Sequence, residues 1–166
     1  MSSGPIPKKV GALAVVVLAG AGAIAALAQQ AASDGASMEV LGQVVNAETL
    51  QLGKELYAET CSSCHGANLE GQPDWKRRLD NGRMPAPPHD ASGHTWHHPD
   101  QDLLVIVRDG LGAIVPGYES DMPAFGSTLT DEDIGAILAF IKSTWPERER
   151  EFQAQVTHNV ASEDSP

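Results

Sequence analysis

The sequence predicts an all-α fold with long connecting loops, and three observations predict it. Leu50, Gly53, Leu56 and Tyr57 recur at three- and four-residue steps, which draws one apolar stripe along a helix from Ala47 to Thr60. Ile134, Ile137, Leu138, Ile141 and Trp145 draw a second stripe of the same period. Between them, Gly66 to Gly93 and Gly112 to Gly126 are rich in Gly, Pro, Asn and Asp without any period, which suits loops. At 166 residues the chain has room for one domain plus appendages.

In chain order, Lys8 and Lys9 precede an uncharged, Ala- and Gly-rich run from Val10 to Ala28. This reads as an export signal, and Ala26-Leu27-Ala28 offers a small-x-small site that favours cleavage after Ala28. The run is 19 residues long, close to the roughly 20 that span a bilayer, so residues 1–28 are a signal peptide or an uncleaved N-terminal membrane anchor. Both place the remainder outside the cytoplasm. Residues 29–46 mix small, polar and a few apolar side chains and read as a linker or loosely packed arm.

The helix from Ala47 then delivers Cys61-Ser62-Ser63-Cys64-His65. Past the following loop, where Pro85, Pro87 and Pro88 exclude a continuous helix, Pro99 with Asp100 and Asp102 opens a short helix through Leu103, Leu104, Ile106 and Val107 that Gly110 closes. Thr130 caps the last helix, Asp131, Glu132 and Asp133 favour the positive end of its dipole, and Pro146 stops it. Residues 146–166, charged at first and polar afterwards, read as a polar tail that extends as a frayed helix and ends disordered.

Cys-x-x-Cys-His carries the chemistry. Two thiols at this spacing each close a thioether to a porphyrin vinyl group, which sets the imidazole of His65 under the iron as proximal ligand. Three other readings compete. A thioredoxin-like pair wants a βαβ pattern, but the flanks look helical. A structural zinc site wants four Cys or His ligands, and only His is in surplus. A disulfide here would close too short a loop to remove much unfolded-state entropy. Haem fits a further fact: aromatic residues make up only 5% of the chain, and a porphyrin supplies apolar bulk.

A second axial ligand is sought among four methionines, of which Met1 and Met38 precede the motif. Met84 and Met122 remain, each followed by proline. Met84 lies 19 positions after His65 and also reads as an apolar gap-filler near the haem. Met122 lies 57 positions after it, far enough for the chain to pass round the macrocycle. A His/Met pair favours reduced iron over two nitrogen ligands.

With these residues in view, the stretch from Ala47 to Trp145 resembles a class I cytochrome c: Gly53 and Tyr57 before the attachment motif, Met122-Pro123-Ala124-Phe125, then a helix with Phe140 and Trp145. The resemblance implies a cytochrome c-like fold, three or more helices wrapped around one covalently bound haem c. It implies that Cys61 and Cys64 hold the haem, that His65 is the proximal and Met122 the distal iron ligand, and that Gly53 and Tyr57 meet the turn from Ile137 to Phe140. The Pro- and His-rich segment from Met84 to Asp102 is longer than in small family members. Trp75, Trp96, Arg77 and Arg78 are candidates for propionate contacts, with packing or a solvated surface as the plainer reading.

His89, His94, His97 and His98 crowd one window and suggest a second metal site, against which stands the plainer reading of a polar loop. The formal charge of −11 becomes −13 once the two lysines of residues 1–28 are gone. So acidic a chain is a poor nucleic-acid binder. The expected function is an exported, periplasmic mono-haem carrier of single electrons, serving redox partners such as a membrane oxidase or dehydrogenase. Two alternatives stand beside it: the haem subunit of a periplasmic oxidoreductase, and a metal-binding or sensor protein working through His89 to His98. No acid–base constellation marks an enzyme.

Overall fold

A hairpin of two short strands stands ahead of the first helix, β1 (Glu39–Val40) and β2 (Gln43–Val44), paired antiparallel with Val40 opposite Gln43. Its two-residue turn places Leu41 at φ 52° and Gly42 at φ 75°, the left-handed pair that matches strand twist. The computed structural model describes Met1, Gly4 and residues 37–163. The apolar run from Val10 to Ala28 lies outside the described residues, and among those described no helix is long and apolar enough to cross a membrane.

Helix α1 (Ala47–Thr60) begins where the Asn46 side chain accepts the Thr49 N–H at 2.8 Å. A single further turn, α2 (Ser62–His65), follows Cys61 directly. The chain then runs as loop to a 3₁₀ turn at Thr95–His97 and helix α3 (Asp100–Asp109), which Gly110 ends at φ 87°. Helix α4 (Asp131–Ser143) starts with a full capping box, in which Thr130 and Asp133 satisfy each other's backbone N–H groups. Among the described residues the architecture is all-α apart from the hairpin, as the periodicities predict.

The core sits where α1 crosses α4. Tyr57, Ile134, Ile137, Leu138, Ile141 and Trp145 are buried there, and Leu103 of α3 joins them. A Cβ on Gly53 would stand 1.8 Å from the Ala136 carbonyl oxygen, so the two backbones touch at this glycine. The Tyr57 and Phe140 rings meet 5.5 Å apart beside it, which is the contact the resemblance implies.

Two segments differ from the sequence reading. Residues 38–46 are not a loose arm: the hairpin buries Val40, and the Leu41 N–H donates to Asp100 Oδ2 at 2.9 Å. Nor is the C-terminal segment frayed, since α5 (Glu147–Glu163) is a continuous helix. Its anchor is polar. Gln153, fully buried, donates from Nε2 to Asp100 Oδ1 at 2.7 Å. The same oxygen receives Lys142 Nζ at 2.8 Å, and Nζ also donates to the Glu39 carbonyl at 3.0 Å. One buried carboxylate thus ties together the hairpin, α3, α4 and α5, and its charge is paired and hydrogen-bonded, as burial requires.

Candidate functional site

The Cys-x-x-Cys-His segment is held at the C-terminal end of α1. The Cys61 N–H still donates to the Tyr57 carbonyl at 2.9 Å, so Cys61 continues the helical path, and the His65 N–H returns to the Cys61 carbonyl at 2.9 Å. Gly66 ends the turn at φ 84°. Its carbonyl accepts the buried Tyr57 hydroxyl at 2.8 Å, which pins the far end of the motif back onto α1. Both cysteines are free thiols, Cys61 half-buried and Cys64 exposed. Burial pushes the Cys61 thiol up, against the Thr60 hydroxyl that lowers it.

His65 is buried, and its Nδ1 lies 2.9 Å from the Pro87 carbonyl oxygen. A carbonyl only accepts, so Nδ1 carries the proton and Nε2 keeps a bare lone pair, the state a metal-ligating imidazole needs. Burial holds the ring below the ordinary histidine range, with the Pro87 hydrogen bond opposing it. The carbonyl is in place because the 85–90 segment packs on the 66–71 loop. The His89 N–H donates to the Leu69 carbonyl at 2.8 Å, the Gln72 N–H donates to the Ala86 carbonyl at 2.9 Å, and Gly71 leaves no room for a Cβ against Pro87 and Pro88.

Met122 lies half-buried on a separate loop. That loop is tied to the end of α3, where the Phe125 and Gly126 N–H groups donate to the Val107 and Arg108 carbonyls at 2.9 Å. An ion pair between Arg83 and Asp121 joins the residue before Met84 to the residue before Met122. The structure therefore brings Cys64 and His65 onto one turn directly after Cys61 and holds the two Met-Pro loops together. Large apolar side chains stand exposed on these loops: Leu79 at 45%, Ile114 at 38% and Val115 at 47%.

The four clustered histidines do not converge on one point, which corrects the second-metal reading: His94 and His98 meet edge to face at 5.5 Å, but the other two point elsewhere. His89 turns inward and stacks on His65, His94 lies flat on Trp75 with an interplanar angle of 4°, and His97 packs on Trp96 and Phe152. Among the described residues no group of three or more His, Cys, Asp or Glu side chains is placed to hold a metal ion. Two contributors escaped the sequence reading: the Pro87 carbonyl, a backbone atom that side-chain patterns do not display, and His89, whose signal was present but was grouped with its neighbours. Of the candidate propionate contacts, Trp75 is occupied by His94 and Lys76, while the Trp96 Nε1 is buried without a hydrogen-bond partner.

The donor set fits a c-type haem: two unpaired thiols and an imidazole with its outer nitrogen spent on a carbonyl, with apolar side chains left bare on the methionine loops. Comparison with protein families agrees. Residues 48–141 match the family model described as cytochrome C oxidase, cbb3-type, subunit III. Searches of curated proteins and of solved structures gave no match. From this match over more than half its length, together with the all-α fold, the chain belongs to the cytochrome c family of cbb3-type oxidase subunit III.

Proposed function

We propose that the protein is an exported mono-haem cytochrome that passes single electrons to or within a membrane oxidase complex. Cys61 and Cys64 hold one haem c through their sulfurs, His65 Nε2 is the proximal ligand and Met122 sulfur the distal one. Bound there, the haem supplies a one-electron ferrous/ferric couple. The Pro87 carbonyl fixes the His65 tautomer and raises the basicity of Nε2. Burial keeps the imidazole neutral and ready to ligate, and the Met122 thioether favours the reduced state. Residues 1–28 carry the chain across the membrane, as a cleaved signal or as an anchor.

The observation that carries this reading is the His65 to Pro87 hydrogen bond directly after two unpaired thiols. The family description favours an oxidase over a dehydrogenase as the partner. Intact mass of material matured in a host that assembles c-type cytochromes tests it: the polypeptide plus one haem is expected, with a low-spin spectrum and slow carbon monoxide binding when reduced. A mass equal to the polypeptide alone, or a high-spin reduced spectrum, refutes it.

A further inference from the structure

Behind the proximal imidazole lies a second one. The rings of His65 and His89 are stacked, with centroids 4.0 Å apart and an interplanar angle of 24°. His89 is held in place from several directions. Its N–H donates to the Leu69 carbonyl at 2.8 Å, its carbonyl accepts the Trp145 indole N–H at 2.7 Å, and its Nδ1 pairs with the Thr95 hydroxyl at 2.8 Å. Tyr57 meets its ring edge-on at 6.4 Å. Thr95, Trp145 and Tyr57 are themselves buried, so the ring has little freedom to move. A leucine would fill such a site at lower desolvation cost, so the polar ring asks for a reason.

The Pro87 hydrogen bond constrains His65 along one line, the axis from Nδ1 to the carbonyl oxygen, and leaves rotation about that line free. A flat ring against the imidazole face removes this remaining freedom. We propose that His89 is a positioning residue that sets the plane of the His65 ring, and through it the orientation of the imidazole π-system relative to the iron. The inference rests on His65 being the proximal ligand. Its consequence would be electronic: ring orientation governs which iron orbitals the ligand meets, and a polar ring against the ligating imidazole favours the oxidised, more charged state.

The haem-loaded protein tests this in two ways. In the reduced wild-type protein, NMR should show cross-relaxation between ring protons of His65 and His89. In the oxidised protein, His89→Leu should broaden and shift the low-spin electron paramagnetic resonance lines and move the one-electron equilibrium toward reduction by at least about threefold, which is about 28 mV at 59 mV per decade. The double variant His89→Phe with Thr95→Val restores a flat ring and leaves no orphaned hydroxyl, so it should recover narrow lines while keeping the raised potential. A low-spin, haem-loaded wild type without the cross-relaxation, or His89→Leu lines and potential equal to wild type, overturns the stacking role alone. A wild type that carries no haem, or is high-spin, overturns the ligand assignment and this inference with it.

Discussion

Replacing Gly53 with Ala tests the crossing on which the whole site hangs. The added methyl would stand 1.8 Å from the Ala136 carbonyl oxygen, 2.4 Å from its carbon and 3.1 Å from the Ile137 nitrogen. All three are backbone atoms of α4, so no side chain can swing aside. To reach even a 3.0 Å contact, the helices must part by about 1.2 Å, which loosens the Tyr57–Phe140 contact and the buried isoleucines. Overpacking of this kind costs about 3 kcal/mol, and the better helix propensity of Ala returns about 1. The net loss of about 2 kcal/mol corresponds to roughly 8 °C in Tm for a domain of this size. Thermal unfolding of the haem-loaded protein by far-ultraviolet circular dichroism reads it. A variant as stable as wild type would show that α1 and α4 do not meet backbone to backbone.

Three other outcomes follow from the same geometry. Lys142→Met strands the Asp100 carboxylate in the interior and should lower stability by about 3–5 kcal/mol in urea unfolding, whereas adding Asp100→Asn should recover part of the loss. Burial holds His94 and His98 below the ordinary histidine range, with neighbouring His97 lowering both, Lys76 lowering His94 and Asp102 opposing at His98. The unfolded chain therefore binds more protons between their depressed values and about 6.5, so stability should fall as pH drops through that window, and the fall should flatten in His94→Gln with His98→Gln. Met122→Ala should speed carbon monoxide binding to the reduced protein by orders of magnitude, and Met84→Ala should leave it nearly unchanged; the reverse pattern would transfer the distal role to Met84.

What the sequence displayed and what it hid follow one physical divide. Period-3.6 stripes announce helices that bury apolar faces, so α1, α3 and α4 were readable, as was the attachment motif with its fixed spacing. Helix α5 hides because its anchor is an amide: Gln153 docks on Asp100, and no hydropathy period reveals a polar contact. The hairpin hides because strands of two residues are too short to alternate, and its one buried side chain, Val40, is a single letter. Asp100 reads as a helix-start charge on sequence grounds, and it does open α3, but its larger role depends on Lys142, which lies 42 positions away. The histidines mislead for a related reason: closeness along a chain with a 3₁₀ turn in it says nothing about direction, and the Thr95–His97 turn sends consecutive imidazoles to different neighbours.

The attachment motif and the methionine loops are built to unequal stiffness. Around the sulfur-and-imidazole turn, Gly66, His65 and His89 are each held by a part-buried hydrogen bond, with Tyr57, Pro87 and Trp145 respectively. The Met122 loop is tied to α3 by backbone bonds from Phe125 and Gly126, but the two methionine loops are joined to each other by a solvent-bathed clasp, Arg83 with Asp121, and such clasps contribute at most about 1 kcal/mol and fade in brine. Heat or concentrated salt should therefore slacken the seam between the two methionine loops first, and an approaching charged protein should prise that seam without disturbing the turn that carries the two sulfurs.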